Sequence, residues 1–328
     1  MGANSVRKSI RFLLNDDLIE LDDFAHTQNV LDFLRLEQRL RGSKEGCAEG
    51  DCGACTVLVG RIVGNDLIYE TVNSCIRFVA SLDGAHLVTI EHLKGQNGAL
   101  HPVQAAMVEQ HGSQCGFCTP GIVMSLYGLW MNNPTASQTD IETALQGNLC
   151  RCTGYAPIIK AAKSVLAAGG QKADPLLQER EKIQRRLREL ADNKRVEIFT
   201  NTTKIFLPAN VNDLAQILLQ HPDATIVAGA TDVGLWVNKQ MRQLPTLIFI
   251  SHLSQLHNIE QTSDEIRFGA AVSYSDAWPI IAEKIPQLDK FWGRIGGGQV
   301  RNMGTIGGNI ANGSPIGDTP PALIALGA

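Results

Sequence analysis

Hydrophobic and polar positions alternate with period two near the start of the chain. Ile10-Arg11-Phe12 and Ile19-Glu20-Leu21-Asp22 read as two half-buried strands joined by a tight Asn15-Asp16 turn. Val30, Leu31, Leu34 and residues 36–40 then suit one face of a short helix. Thr56-Val-Leu-Val59 and Leu67-Ile-Tyr-Glu-Thr-Val72 predict a hairpin, and Leu87-Val-Thr-Ile90 a strand that closes the sheet. From residue 101 the period becomes helical. Residues 101–110 carry Pro102 in a first turn and Gly112 as a stop. A loop at 114–118 leads into a second helix through Trp130, residues 139–146 form a third with Thr139 as its cap, and residues 158–168 a fourth. Residues 169–199 open with Gly-Gly and continue as a charged run. Ile183, Leu187 and Leu190 give that run a single apolar stripe, the mark of a solvated linker helix. Beyond Phe206, helices and strands alternate. Residues 211–219 read as a helix, 225–228 as a buried strand, then a glycine-bearing turn, a helix with Trp236, and strands at 247–250 and 265–269. The expectation is a multidomain α+β chain with units at 1–92, 93–168 and 200–328, and a charged linker at 169–199.

Composition narrows the partners. The chain has 328 residues, 44% hydrophobic and 19% charged, an ordinary globular balance with room for several cores. A net charge of −4 gives no support for nucleic-acid binding, and Arg185-Arg186 is interleaved with Glu179, Glu181 and Glu189. The opening MGANSVRKSIRFLLND lacks the apolar core of an export signal and misses the N-myristoylation pattern at Val6. The longest apolar run, residues 121–131, is too short to span a bilayer. No nucleic acid, no membrane and a cytoplasmic location are expected.

The eight cysteines change the picture most, because they fall into two sets of four. In a long chain without an export signal, metal or redox use is favoured over disulfides. Cys47, Cys52 and Cys55, answered by Cys75, have the C-x4-C-x2-C spacing of plant-type 2Fe–2S ferredoxins. Four thiolates must converge on two irons, three of them from one loop. Gly46, Gly50 and Gly53 supply the small residues such a loop needs where backbone approaches sulfur. Strands, one crossing helix and this loop at the edge predict a small β-grasp ferredoxin module. The second set, Cys115/Cys118 and Cys150/Cys152, stands just before two predicted helix N-termini, whose partial positive charge suits an anionic centre. A structural zinc site, a dithiol at Cys115-Gly-Phe-Cys118 and a second 2Fe–2S cluster in a helical bundle all remain open. The first set favours the last.

GCAEGDCGACTVLV, QCGFCTPGIVMSLYGLW and LQGNLCRCTGYAPI together resemble the iron–sulfur half of the molybdenum hydroxylases, the xanthine dehydrogenase and aldehyde oxidase family. The likeness covers residues 9–168, and all eight cysteines match ligand positions. It implies a distal cluster at Cys47, Cys52, Cys55 and Cys75, and a proximal one at Cys115, Cys118, Cys150 and Cys152. It also implies a molybdopterin cofactor on a partner, approached by Gln114 and Cys152.

VAGATDVG and TIGGNIANGSPIGD resemble the two FAD-binding segments of the family's flavin domain. The resemblance implies FAD contacts from Ala228, Gly229, Ala230, Thr231 and Asp232 in a first pyrophosphate turn, and from Thr305, Gly308, Asn309 and Asp318 in the second segment. Ala230 stands where many members have Gly or Asn, and Ile295 where several have an aromatic residue near the flavin ring. Residues 296–318 are too glycine-rich for a core element, yet Val300, Ile306, Ile310 and Ile316 argue for a folded loop system. Residues 320–328 end inside a flavin domain that should continue. A fragment, or a second half on another polypeptide, is expected, with FAD binding incomplete here. The order of clusters then flavin implies the small subunit of a xanthine dehydrogenase type enzyme. Purine would be oxidised towards uric acid on a large molybdopterin-binding subunit, in an (αβ)2 or higher assembly, with NAD as co-substrate and no catalytic residue on this chain. An aldehyde or N-heterocycle hydroxylase is the nearest rival. A zinc-stabilised scaffold protein is the rival of a different class.

Overall fold

The computed structural model describes residues 6–95, 98–200 and 202–328. The first five residues, over which export and lipidation signals were read, lie outside the described residues. Strands β1 (Ile10–Leu14) and β2 (Asp17–Leu21) pair antiparallel around Asn15, whose φ of 54° closes the two-residue turn. Asn15 also ties that turn to the next strand, since its Oδ1 accepts from the Thr89 N–H at 3.0 Å. Helix α1 (Val30–Asp32), capped by the Asn29 side chain, continues into a π-helical turn at Phe33–Glu37. The wider turn departs from the expected helix face: Phe33 and Leu34 are buried while Leu36 is 62% exposed. Strands β3 (Thr56–Val63), β4 (Asp66–Asn73) and β5 (His86–Val88) complete a five-stranded sheet of order β2-β1-β5-β3-β4. β1 and β5 run parallel and the other neighbours antiparallel.

Half-buried strands were expected for β1 and β2; edge strand β2 keeps that pattern, with Leu18 exposed and Ile19 and Leu21 packed inward, while the centre of the sheet is covered on both faces. Successive side chains point to opposite sides of a strand. Val57 and Val59 enter one core with Phe12, Phe33 and Leu87, whereas Leu58, Tyr69 and Val88 enter a second. The unbroken Thr56-Val-Leu-Val run is the sequence counterpart of double burial.

The second core is filled by helices. These are α2 (Pro102–Glu109), α3 (Thr119–Asn132), α4 (Gln138–Ala144) and α5 (Ala156–Ala168). α3 is buried along most of its length and lies on β3 and β4. α4 is capped by Ser137, not Thr139, because Ser137 and Asp140 form a reciprocal capping box. The charged segment is not a solvated linker. After α6 (Pro175–Gln178), helix α7 (Arg180–Leu190) lays Ile183, Leu187 and Leu190 into the second core, and Arg188 donates to the Asn65 carbonyl at 3.2 Å. Its charged residues face water while its stripe closes the sheet.

β6 (Val196–Phe199) falls inside the range expected as linker, and pairs with β7 (Lys204–Leu207). Helix α8 (Val211–Gln220), β8 (Thr225–Val227), α9 (Val233–Asn238) and β9 (Thr246–Phe249) give a second sheet of order β6-β7-β9-β8. β8 was expected to be buried. It is an edge strand with Ile226 45% exposed, because β9 takes the central place. Residues of this sheet, including Val196, Leu207 and Phe249, join the first core, so the two sheets share one apolar layer. β10 (Ile259–Gln261) and β11 (Ile266–Phe268) form a small hairpin. Helices α10 (Tyr274–Lys284) and α11 (Asp289–Trp292) build a third core around Trp292 and Ile295. The glycine-rich stretch expected as loops holds two short helices, α12 (Gly298–Met303) and α13 (Ile306–Asn312), before α14 (Thr319–Leu326). Among the described residues no helix is long and apolar enough to cross a membrane.

Candidate redox and dinucleotide sites

The loop bearing Cys47, Cys52 and Cys55 connects the π-helical turn to β3, and Cys75 follows the end of β4. A Cβ on Gly46 would stand 2.8 Å from the Cys52 sulfur, so that position admits no side chain. Gly53 has φ of 67°, and a Cβ there would meet the Gly147 carbonyl at 2.0 Å. The N–H groups of Asp51 and Cys52 both donate to Cys47 Sγ at 3.4 Å. Cys55 and Cys75 are buried, while Cys47 and Cys52 are partly accessible. The thiols interact in a chain, Cys52–Cys47–Cys75–Cys55. Hydrogen bonding from Cys52, then from Cys75, pushes the Cys47 thiol down, and Cys75 holds Cys55 down against burial. Cys75 and Cys52 are pushed up by the same contacts and by burial. The helix that follows the pyrophosphate-type turn also grips it: Asn238 Nδ2 donates to the carbonyls of Cys75 at 2.8 Å and Ala48 at 3.1 Å.

The second quartet lies where two helices begin. Cys118 is the N-cap residue of α3, and Tyr155, at φ of 65°, that of α5. The Cys150 N–H donates to Tyr155 Oη at 2.8 Å, and Cys150 Sγ lies 3.2 Å from Thr153 Oγ1. Burial, then contact with Cys150, pushes Cys118 up to about 12. Burial opposes the drop at Cys150, but the Thr153 hydroxyl and N–H prevail and hold it down. Cys115 is lowered by the Phe117 N–H and by Cys152, which is raised in return. Cys115, Cys152 and the neighbouring Gln114 are exposed, as are Phe117 and Leu149.

Among the described residues no three Cys, His, Asp or Glu side chains are grouped to hold one ion. In the second quartet the thiols meet in two pairs, Cys115 with Cys152 and Cys118 with Cys150, whereas in the first they form the chain through Cys47 and Cys75. The two quartets are also joined. The Leu149 N–H, next to Cys150, donates to the Cys52 carbonyl at 3.0 Å, and Asn148 Nδ2 donates to the Gly53 carbonyl at 3.2 Å.

The segments expected to hold a dinucleotide meet each other. A Cβ on Gly229 would collide with the Met303 carbonyl at 1.6 Å, just before Thr305. Ala230 has φ of 61°, which explains why Gly or Asn would be at ease there. Among the described residues, the main-chain N–H groups of residues 229–232 donate no main-chain hydrogen bond, the arrangement of a phosphate cradle. Ala228, Gly229, Ala230 and Thr305 line one cavity of 850 Å³. Thr231, Asp232, Gly308, Asn309 and Asp318 do not line it. The Thr305 hydroxyl accepts from the Gly308 N–H at 3.0 Å, and Asn309 Oδ1 from the Thr319 N–H at 3.0 Å. Burial raises the Asp232 carboxyl. Tyr274, pushed up to about 12 mainly by burial, senses both Asp318 and Asp232. Ile295 is buried in the third core.

Sequence reading missed three residues. Arg77, two positions after Cys75, faces the same cavity. Its main-chain partner is the Ser81 carbonyl at 3.4 Å, and its Nε has no partner. The carboxylates beside it are engaged elsewhere, Glu70 by Arg61 and Asp83 by Arg7. Burial lowers Arg77 to about 10. A guanidinium without a carboxylate partner, lining the same cavity as Gly229 and Ala230, suits an anionic ligand. Asn238 and Gln299 are the others, and no local pattern marks any of the three.

Comparison with known proteins adds to this geometry. Residues 89–163 match the family described as a 2Fe–2S binding domain. Residues 200–328 match the FAD binding domain in molybdopterin dehydrogenase. The chain is 35% identical over 347 residues to the xanthine dehydrogenase of Drosophila subobscura, covering 91% of this chain and 26% of that protein. It is 34% identical over 345 residues to the xanthine dehydrogenase/oxidase of Rattus norvegicus, covering 91% and 26%. It is 31% identical over 372 residues to aldehyde oxidase 3 of Mus musculus, covering 98% and 28%. The chain thus spans 26% to 28% of the length of these relatives. On these matches the chain belongs to the molybdenum hydroxylase family, as an iron–sulfur and FAD-binding part of it.

Proposed function

We propose that this chain is the electron-transfer part of a xanthine dehydrogenase type oxidoreductase. The single observation that carries the reading is the junction of the two cysteine quartets through Leu149 N–H and the Cys52 carbonyl, with the dinucleotide turn gripping the inner loop through Asn238. Residues 1–92 act as a β-grasp ferredoxin unit and residues 93–168 as a helical-bundle cluster unit. Residues 200–328 act as a flavin unit. When bound, two 2Fe–2S clusters would carry electrons one at a time from a molybdopterin centre on a large partner subunit, and FAD would collect two of them for hydride transfer to NAD. A purine C–H becomes C–OH with oxygen from water, releasing two electrons and two protons. NAD takes both electrons and one proton, and the other proton is released.

The chain's own residues hold and orient. Cys47, Cys52, Cys55 and Cys75 ligate the inner cluster, and the Asp51 and Cys52 N–H groups stabilise sulfur charge there. Cys115, Cys118, Cys150 and Cys152 ligate the outer cluster, where exposed Gln114 and Cys152 face the partner's molybdopterin. Ala228 through Asp232, with Thr305, Gly308, Asn309 and Asp318, hold FAD, and Arg77 faces its phosphates. The assembly is a cytoplasmic heteromer of the (αβ)2 kind. The test is to purify the chain with its neighbouring molybdopterin subunit and reduce it with xanthine. Two distinct cluster signals, about two irons per cluster, and NADH formation are expected. A colourless, zinc-containing chain without iron or acid-labile sulfide overturns the reading. The likeness to aldehyde oxidase 3 supports one rival substrate class, and turnover of an aldehyde or N-heterocycle in place of xanthine would select it.

A further inference from the structure

Helix α12 lies in the glycine-rich stretch that resembles a cofactor segment, yet its buried side chains point at the cluster-bearing units. Arg301 donates to Gln146 Oε1 at 3.0 Å, and Asn302 to the Thr71 carbonyl at 2.9 Å. Between them, Gln299 is fully buried. Its Nε2 reaches Asn148 Oδ1 at 2.8 Å, and Thr56 Oγ1 and Ser125 Oγ at 3.1 Å each. Thr56 follows Cys55 directly, Asn148 is two residues before Cys150, and Ser125 is on the helix that Cys118 opens. One amide from the flavin unit therefore touches residues beside the ligands of both quartets.

We infer that Gln299 is a positioning residue that fixes the separation of the two clusters. The inference rests on the functional reading above, since it needs both clusters. Three observations carry it. The amide's orientation is dictated: the Thr56 hydroxyl already donates to the Gly53 carbonyl at 2.6 Å and the Ser125 hydroxyl to Asn148 Oδ1 at 2.7 Å, so both oxygens present lone pairs to a donor. There is no slack around it: a Cβ on Gly147 would meet Gln299 Oε1 at 2.1 Å, and a Cβ on Gly297 would lie 2.4 Å from the Gly147 Cα. Finally, the amide contributes little to stability. Its Oε1 has no partner, and Thr56, Ser125 and Asn148 keep partners among themselves without it. What Gln299 adds is the tie between units at the point where Leu149 N–H meets the Cys52 carbonyl.

The test uses the cluster-loaded chain with its molybdopterin subunit. Gln299→Met keeps volume and removes the donor. Gln299→Asn keeps the donor and shortens its reach by one methylene, and it replaces the Met variant should that one not fold. Both are expected to retain iron and FAD content and thermal midpoint. The spin–spin splitting between the two reduced clusters changes, and flavin reduction in a single turnover slows several-fold. Lys8→Ala loses an exposed ion pair between the first unit and β6, to Glu197 at 3.0 Å, and leaves both readouts unchanged. Unchanged splitting and flavin reduction in the Gln299 variants, or an equal change in Lys8→Ala, overturns the inference alone. A wild-type complex without two cluster signals overturns the functional reading and this inference with it.

Discussion

The two cysteine quartets each gather four thiols and are held in opposite ways. The inner one sits between a sheet and a helix of the flavin unit, with Cys55 and Cys75 buried and two carbonyls tied by Asn238. The outer one sits at two helix starts, with Cys115 and Cys152 exposed beside Phe117 and Leu149. In the proposed relay the inner station has neighbours on both sides and the outer one needs an open face for its donor, and the difference in burial matches that assignment.

The sharpest way to break this comparison is to remove one ligand from each side. Cys75→Ser should abolish the inner cluster's signal and destabilise the first unit, because cluster binding there is also folding energy. Cys152→Ser should abolish only the outer signal and leave the fold intact. Iron analysis with electron paramagnetic resonance checks both, and equal destabilisation by the two variants would erase the distinction.

A pH titration of unfolding comes next. His86 begins β5 in the sheet that bears the inner loop, with Nδ1 2.7 Å from Tyr69 Oη and Nε2 2.7 Å from the Asn15 carbonyl. Burial holds it at about 4, below an ordinary value of 6.5. The unfolded chain binds the extra proton between those values, so stability falls as pH drops from 6.5 to 4 and is flat above 6.5. About 3 kcal/mol is lost across the window. Hydrogen exchange should show the first unit loosening before the helical one, and His86→Gln should flatten the dependence. An unchanged slope in that variant would assign the acid sensitivity elsewhere.

Arg77→Glu should weaken FAD retention about tenfold or more, consistent with loss of a charge-assisted contact of ~1.5–3 kcal/mol. Arg77→Lys should recover much of it. Flavin content after dialysis is the measurement, and full retention in Arg77→Glu would remove Arg77 from the dinucleotide site. The smallest effect is expected at Ser137, far from both quartets on the exposed cap of α4. Ser137→Ala should cost about 1 kcal/mol of stability with both cluster signals unchanged.

The cysteine quartets were legible in sequence because ligand spacing is a one-dimensional pattern. Strands β1 to β4 were legible because alternation survives in Ile10-Arg11-Phe12 and in the Asn15-Asp16 turn. The burial of both sheet faces was not, since it depends on α3, α7 and β9 arriving from far along the chain. α7 was misread because a stripe of three apolar residues looks the same on a linker and on a docked helix. Gln299 was invisible for the same reason in a stronger form: its contact to Thr56 spans 243 residues. No window along the chain contains both partners. Arg77 gave no signal because its distinction is a missing partner, and that exists only in three dimensions.

The division of β3 between two cores sets an order of events during synthesis. The first core, with Val57 and Val59, is completed by residues of the second sheet such as Phe249, while the second core, with Leu58, receives α3 early and α7 after it. At about 5–20 residues per second, translation reaches Trp130 well before Phe249. One side of the nascent sheet is thus closed early, and the side toward the second sheet stays bare for on the order of ten seconds or longer. The growing chain carries an apolar ledge through that interval, and β9 is the strand that seals it.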